Sequence, residues 1–418
     1  MSNKLPQGWE KVKISDVSEV VSGGTPSTKN EAFYNGEIGW ITPKDLSGYT
    51  KKYIKNGARN ITVLGLEKSS AKLLPKGTVL LSSRAPIGYL AIAEGELSTN
   101  QGFKNLVCNK DKLDNIFIYY YLKSKKDDLE QIASGSTFKE VSGNTLKNFE
   151  IKIPSDINEQ KRIADILSAF DDKIEINNQI NQTLEEMASA LFKEWFENFN
   201  FPNNQGKPYK DSGGDMKPSE LGEIPINWEV LDLKSISSKI GDGLHGTPKY
   251  IDGGEYFFIN GNNLVNGMIE IDQKTKRTNK EEYEKYKKEL NENTIFLSIN
   301  GTLGNIAFYN EEKIFLSKSV CYINVLENYY KVFIACLFKS DYFKQYLFNY
   351  ANGTTIKNLS LKAIRELSFP ISKNICEKFS HIVKPIFEQI QQNQQQNQIL
   401  KQQRDALLPK LISGEIRV

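Results

Sequence analysis

The stretch NEQKRIADILSAFDDKIEINNQINQTLEEMASALFKEW (158–195) decides the fold. Ile163, Leu167, Phe170, Ile174, Asn177, Asn181, Leu184, Ala188, Leu191 and Trp195 follow one another in alternating steps of four and three. That spacing is a heptad seam, and it predicts a long helix packed along another helix. Adding 216 to each position gives Phe379, Val383, Ile386, Ile390, Asn393, Asn397, Leu400, Arg404, Leu407 and Leu411. The second set is the same seam, with asparagines at the same two central positions. Asp156 followed by Glu159 predicts a capping box opening the first helix. Pro385 conflicts with an unbroken second helix and predicts a kink there or the helix's true start.

Outward from the helices the chain repeats itself. LPQGWEKVKISDV (5–17) matches IPINWEVLDLKSI (224–236), and WITPKDL (40–46) matches FINGNNL (258–264). VLLSSRAPIG (79–88) matches IFLSINGTLG (295–304), and ASGSTFKEVS (133–142) matches ANGTTIKNLS (351–360). Four matches in one order at nearly one offset, about 218 residues, indicate a duplicated domain. The parts are a first head, 1–154; a spacer helix, 155–200; a second head, 201–373, with an N-terminal linker at 201–223; and a second spacer helix with the C-terminal tail, 374–418. Each head reads as short strands and turns followed by a helical stretch, around 117–132 and 332–348, a mixed α/β (α+β) globule.

Each helix leaves its head by the same local geometry, so if the two seams pack together the helices are antiparallel. The expected architecture is a pseudo-twofold dumbbell with a coiled coil at its centre and a polar asparagine layer setting register. A helix from Ile163 to Trp195 spans ~50 Å at ~1.5 Å per residue, roughly 15 base pairs of duplex at ~3.4 Å each.

Composition bounds the function. The 418 residues are 39% hydrophobic and 25% charged, enough to bury real cores. No apolar window is long enough to cross a membrane, and the N-terminus lacks an apolar core segment, so neither a membrane span nor a secretory signal is expected. Cys108, Cys321, Cys336 and Cys376 are scattered without a CxxC pair, which argues against a zinc ribbon or disulfide scaffold and fits a cytoplasmic protein. Charge is unevenly placed: +6 over 1–154, −6 over 155–200, +1 over 201–373 and +2 over 374–418. Such a chain does not coat nucleic acid by charge alone; DNA binding needs local basic faces or a partner.

Several segments together resemble a known family: LPQGW and IPINW opening the halves, GWITPKDL (39–46), NEQKRIADILSAFDDKIEINNQ (158–179), FPNNQGKPYKDSGGDMKPSELGEIP (201–225) and LLPKLISGEIRV (407–418). The chain resembles the specificity subunit of type I restriction–modification systems over nearly its whole length. The resemblance implies two target-recognition domains, each reading one half of a split double-stranded DNA site. It also implies two spacer helices that dock two adenine-methylating subunits and fix the gap. Translocase–nuclease subunits can join, and the subunit itself is not catalytic and needs no cofactor.

Candidate contacts follow from loops where the copies align. Ser22, Gly23, Gly24 and Thr25, with His245 and Thr247 in the counterpart loop, suit phosphates through amides and hydroxyls, or form a plain surface turn. Thr42, Lys44 and Asp45 align with Asn260, Asn262 and Asn263; lysine suits guanine and asparagine adenine, and the alternative is a strand-ending turn. Arg84, aligned with Asn300 near Thr302, fits a guanine or phosphate contact, or a structural salt bridge. Asn100 and Gln101 align with Lys318, and Ser136, Thr137 and Lys139 with Thr354, Thr355 and Lys357; all suit backbone positioning or are solvated loops. His245 has no ligand cluster around it, so no metal is expected. The acidic outer face of 155–200 would repel DNA and suits a protein partner.

Enzyme readings fail. There is no GxxxxGK[ST] loop and no NPPF- or DPPY-like segment for a target amine. Pro154-Ser155-Asp156 with Glu159-Gln160-Lys161 mimics a nuclease pattern, but its acids fall at a helix start. The remaining alternatives are a non-catalytic protein–protein scaffold and the specificity subunit of a methylation-only system.

Overall fold

The heptad seams form two long helices in the computed structural model, which describes residues 5–84, 86–135, 139–353 and 357–418. The first runs Ile157–Phe192 and ends in a π-helical turn, Lys193–Glu197; the second runs Lys373–Ile412. The chain divides into two units, one of residues up to Asn178 with Gln395–Val418, the other Gln179–Gln394. Each long helix therefore contributes one part to each unit.

In the first unit Ile163, Ala164 and Leu167 share a core with Leu408, Leu411 and Ile412. Farther along, Asp171 pairs with Arg404, and the Asn177 amide donates to Asn397 Oδ1 at 2.9 Å and to Gln396 Oε1 at 2.8 Å. Numbers rise on one helix as they fall on the other, so the segments are antiparallel. In the second unit Asn393 donates to Asn181 at 2.8 Å, and Phe379 packs on Phe192 and Trp195. Asn177, Asn181, Asn393 and Asn397 are buried, as are Ile174, Val383 and Ile390; Phe170, Leu184, Leu191, Ile386, Leu400 and Leu407 are half-buried. Buried asparagines that bond one another and neighbouring side-chain amides put a polar element inside an apolar seam.

Two expectations about the helix ends are corrected. Pro385 neither starts nor ends the second helix, which begins at Lys373. Pro385 and His381, whose carbonyl loses its helical donor, are both exposed, where water can replace the missing bond. The capping box is only half formed. Asp156 Oδ1 accepts the Asn158 amide at 2.9 Å, but the Glu159 carboxylate turns inward to the Trp9 indole N–H at 3.2 Å and to Arg417. A tail distant in sequence outcompetes the local partner.

Both heads have one plan. In the first, Trp9–Lys13 pairs antiparallel with Glu150–Pro154 and so ties the head to the helix that follows. A five-stranded sheet is ordered Ser18–Ser22, Phe103–Cys108, Val79–Ser82, Leu90–Ala93, Tyr53–Ile54; a three-stranded sheet is ordered Arg59–Ile61, Tyr34–Ile41, Leu97–Thr99. The second head repeats this with Glu229–Asp232 against Ser368–Ile371, a four-stranded sheet (Ser237–Asp242, Val320–Val325, Thr294–Ser298, Ile306–Phe308) and a three-stranded one (Arg277–Thr278, Tyr256–Ile259, Ile314–Leu316). Alternating apolar residues such as Val79, Leu81, Ile295 and Leu297 are fully buried and build the cores. The second head adds a hairpin, Leu264–Val265 with Met268–Ile269, turned by Asn266-Gly267, both at positive φ (51° and 85°) as such a two-residue turn demands. The segment 201–223, expected as a linker, is ordered: Phe201 stacks on Trp228 and Tyr209, and Met216–Ser219 pairs with Gly222–Pro225.

Candidate nucleic-acid interface

In each three-stranded sheet two strands run parallel, so their C-terminal ends open on the same side. Tyr34–Ile41 lies parallel to Leu97–Thr99, and the Asn100 amide donates to the Ile41 carbonyl at 2.9 Å. Thr42 and Asn100 thus leave the sheet side by side. The Gly24 amide donates to Thr99 at 2.9 Å, the Ser83 amide to Gly102 at 2.8 Å, and the Val141 amide to Ser83 at 2.9 Å. These bonds bring the candidate loops around residues 22–25, 42–45, 83–84, 100–101 and 139–140 to one rim.

The second unit repeats the skeleton. The Ser317 amide donates to Ile259 at 2.8 Å, Leu244 to Leu316 at 2.7 Å, Ile299 to Ser319 at 2.9 Å and Leu359 to Ile299 at 2.9 Å. The rim around 243–247, 260–263, 299–302, 317–319 and 357–358 is the same scaffold with different side chains.

Several candidates serve this scaffold rather than a ligand. Gly23 and Gly24 offer no amides to a phosphate: Gly23 N–H is bonded to Phe103 and Gly24 N–H to Thr99. Both are glycine because the backbone is crowded; a Cβ would stand 1.9 Å from the Asn100 carbonyl at Gly23 and 2.2 Å from the Ala71 nitrogen at Gly24. Asp45 is committed to Thr42, accepting from its amide at 2.7 Å and its hydroxyl at 2.6 Å, and to the Ala58 amide at 2.7 Å. Asn263 accepts from Asn260 N–H at 3.0 Å and donates to the Glu270 carbonyl at 2.9 Å, while Asn260 Oδ1 caps the Asn262 amide at 2.9 Å. Asn100 holds the Gly102 amide, and the Thr25 hydroxyl donates to Gln101. His245 Nε2 lies 2.6 Å from Asp242.

Other candidates face solvent. Lys44, Lys139, Thr247, Lys318 and Lys357 are exposed and make no side-chain hydrogen bond or ion pair among the described residues. Ser22, Gln101, Asn262 and Thr302 are also exposed, with the Thr302 hydroxyl 3.5 Å from Asn262. Ser136, Thr137, Thr354 and Thr355 lie outside the described residues. Arg84 takes its salt-bridge alternative: Nη1 lies 3.8 Å from Glu140 Oε2, whose other oxygen accepts Lys104 at 3.2 Å. Glu140 and Lys104 were missed in the sequence. The signal for Glu140 was present, since KEVS (139–142) becomes KNLS (357–360) between the copies.

The arrangement presents amides, hydroxyls and ammonium groups on a fixed backbone. Burial pushes the Cys108 and Cys336 thiols up to about 12 and raises those of Cys321 and Cys376 too, so no thiolate is at hand. Among the described residues no group of three His, Cys, Asp or Glu side chains can hold a metal ion, and no helix is long and apolar enough to cross a membrane.

Comparison with known proteins agrees with this duplication. The family model for the type I restriction modification DNA specificity domain matches twice, at residues 6–186 and 225–402. The type I restriction enzyme MjaIX specificity subunit of Methanocaldococcus jannaschii is 39% identical, over 99% of this chain and 95% of its own length. The MjaVIII specificity subunit of the same organism is 24% identical over 99% of this chain and 94% of its own. The crystal structure of the type I restriction–modification S subunit from M. genitalium superimposes with a TM-score of 0.57 at 20% identity, covering 98% of this chain and 97% of that one, and so shares the fold.

Proposed function

The chain belongs to the type I restriction modification DNA specificity family, and on that premise we propose that each rim reads one half of a bipartite DNA site. It is a non-catalytic specificity subunit with two DNA-recognition domains. The observation that carries the reading is the shared skeleton with divergent side chains. The rims keep the same backbone bonds while Lys44 becomes Asn262, and Arg84 becomes Asn300. A reader of two different half-sites needs this combination, because position is set by the scaffold and sequence by side chains at base edges. Two adenine-methyltransferase subunits dock on the exposed faces of the long helices, one near each head, and supply catalysis and base flipping. A restriction–translocation subunit joins where the system restricts.

The test is a map of methylated adenines in a host carrying this gene with its neighbouring methyltransferase gene, against deletion of this gene alone. Loss of one two-part adenine motif on deletion supports the reading. An unchanged map, with binding to partner proteins but only weak, salt-insensitive binding to DNA, replaces it with a protein scaffold.

A further inference from the structure

One residue pair occupies the same backbone position on both rims. In the first unit Arg84 faces Glu140 across an antiparallel bridge, and Ser134 bridges Glu140 as well. In the second Asn300 faces Asn358 in the same way, and Asn352 bridges Asn358. The amides of Val141 and Leu359, each next in sequence to its bridge residue, bond Ser83 and Ile299, both at 2.9 Å. The pair is therefore placed by the scaffold, and the copies differ in its side chains: a charged pair in one, two carboxamides in the other.

The surroundings differ to match. The Lys104 side chain is 10% exposed and that of Arg84 37%. Glu140 thus has an inner partner at 3.2 Å and an outer, looser one at 3.8 Å. Arg84 can swing onto a ligand without leaving Glu140 unpaired, since Lys104 stays. In the second unit Cys321 stands in the register of Lys104, opposite Leu297 as Lys104 is opposite Leu81. A buried thiol stands there in place of the ammonium group. The carboxamides of Asn300 and Asn358 make no hydrogen bond among the described residues.

Resting on the half-site reading above, we propose that this pair reads a base in each unit: Arg84, positioned by Glu140, takes a guanine in one half-site, and the Asn300–Asn358 pair takes an adenine in the other. The guanidinium fork fits guanine O6 and N7, and a carboxamide fits adenine N6–H and N7. Arg84 and Lys104 share the single carboxylate of Glu140, and the asparagines carry no charge, so the case for base edges rests on donor shape: a planar fork in one unit and two carboxamides in the other. Glu140 also keeps Arg84 from grasping any nearby phosphate, which favours discrimination over general affinity.

The experiment uses the full chain assembled with its methyltransferase subunits, reading both the methylated motif in cells and the salt dependence of binding to duplexes that vary one base. Arg84→Ala should remove a guanine requirement at one position of one half-site, lowering discrimination there roughly tenfold to a hundredfold, and leave the other half-site intact. Arg84→Lys should not restore it. Asn300→Ala should release an adenine in the other half only. Glu140→Gln should weaken the guanine preference while steepening the log–log salt slope by about 0.9, as one more phosphate is engaged. If Arg84→Ala and Arg84→Lys both keep the motif, and the alanine variant binds all sequences more weakly with a shallower slope, Arg84 holds a phosphate and the inference fails while the half-site reading stands. A wild-type assembly with no two-part motif overturns both.

Discussion

Arg417 donates through Nε and Nη2 to the two carboxylate oxygens of Glu159, at 2.8 and 3.0 Å. The Glu159 side chain is nearly buried and also receives the Trp9 indole, while Arg417 Nη1 reaches the Gln7 carbonyl at 2.7 Å. The tail is thereby clasped to both the start of the chain and the start of the first long helix. Gly414 allows it: φ is +71°, and a Cβ would sit 2.7 Å from Pro6 Cγ. Arg417→Ala leaves a buried carboxylate with one partner and should cost about 2 kcal/mol, a fall in Tm of roughly 4–8 °C for a domain of this size. Arg417→Lys should recover only part, because the paired donors need the guanidinium fork. Thermal unfolding within a degree of the parent would mean that the clasp adds nothing.

Asn177 donates to both Asn397 and Gln396 inside the first unit's helix pair, and Asn397 donates onward to Asn178 at 2.9 Å. Asn177→Ala leaves the buried Asn397 carboxamide oxygen unmet and should destabilise by about 1–3 kcal/mol. Replacing Asn177 and Asn397 together by leucine should be near neutral or stabilising, since no buried polar group is orphaned. Denaturant melts of the two single variants and the double variant give the coupling directly. A double variant whose loss equals the sum of the two single losses would mean that the amides act independently.

The duplicated heads and the antiparallel seam were legible because both are periodic: the asparagines recur at one offset, and Trp9 and Trp228 open the two halves. What escaped depends on contacts between residues far apart in sequence. Asp156 and Glu159 have the spacing of a capping box, and nothing near them reveals that Arg417 claims the glutamate. Gly23-Gly24 reads equally well as an open phosphate loop and as a tight crossing beneath Asn100; only the packed structure shows the crossing. Lys44 and Arg84 were both found by comparing the copies, yet one faces solvent and the other has Glu140. Residue type fixes what a side chain can bond, while its neighbours decide whether that capacity is already used.

Asp171 receives the Tyr120 hydroxyl at 2.7 Å, Arg404, and Lys123 at 3.7 Å. Burial alone would raise its carboxyl; Lys123, Arg404 and the Tyr120 hydroxyl outweigh it and hold the group below the ordinary carboxylate value. A folded pKa lower than the unfolded one makes a contribution that is full above pH ~4 and disappears as the pH falls through the folded value. Asp171→Asn should cost about 2–4 kcal/mol at pH 7, because Arg404 loses its buried partner. It should also flatten the acid limb of stability against pH. Denaturation midpoints between pH 2 and 7 that fall in parallel for parent and variant would rule Asp171 out as a source of acid sensitivity.

Gly24 and Gly243 each pass beneath the backbone that shapes one rim, and Gly243 is as crowded as Gly24, its Cβ falling 2.0 Å from the Leu316 carbonyl. Alanine at either must push apart the strand ends from which the reading loops emerge, at about 1–3 kcal/mol. Neither glycine touches the helix seam, so the damage should stay within one head. Gly24→Ala should blur the motif in one half-site and Gly243→Ala in the other, with the gap between half-sites unchanged in both. On the proposed reading the gap is set outside the heads, since two-headed readers impose spacing through what joins them. A methylation map in which either variant changed the gap, or blurred both halves at once, would mean that the heads do not read independently.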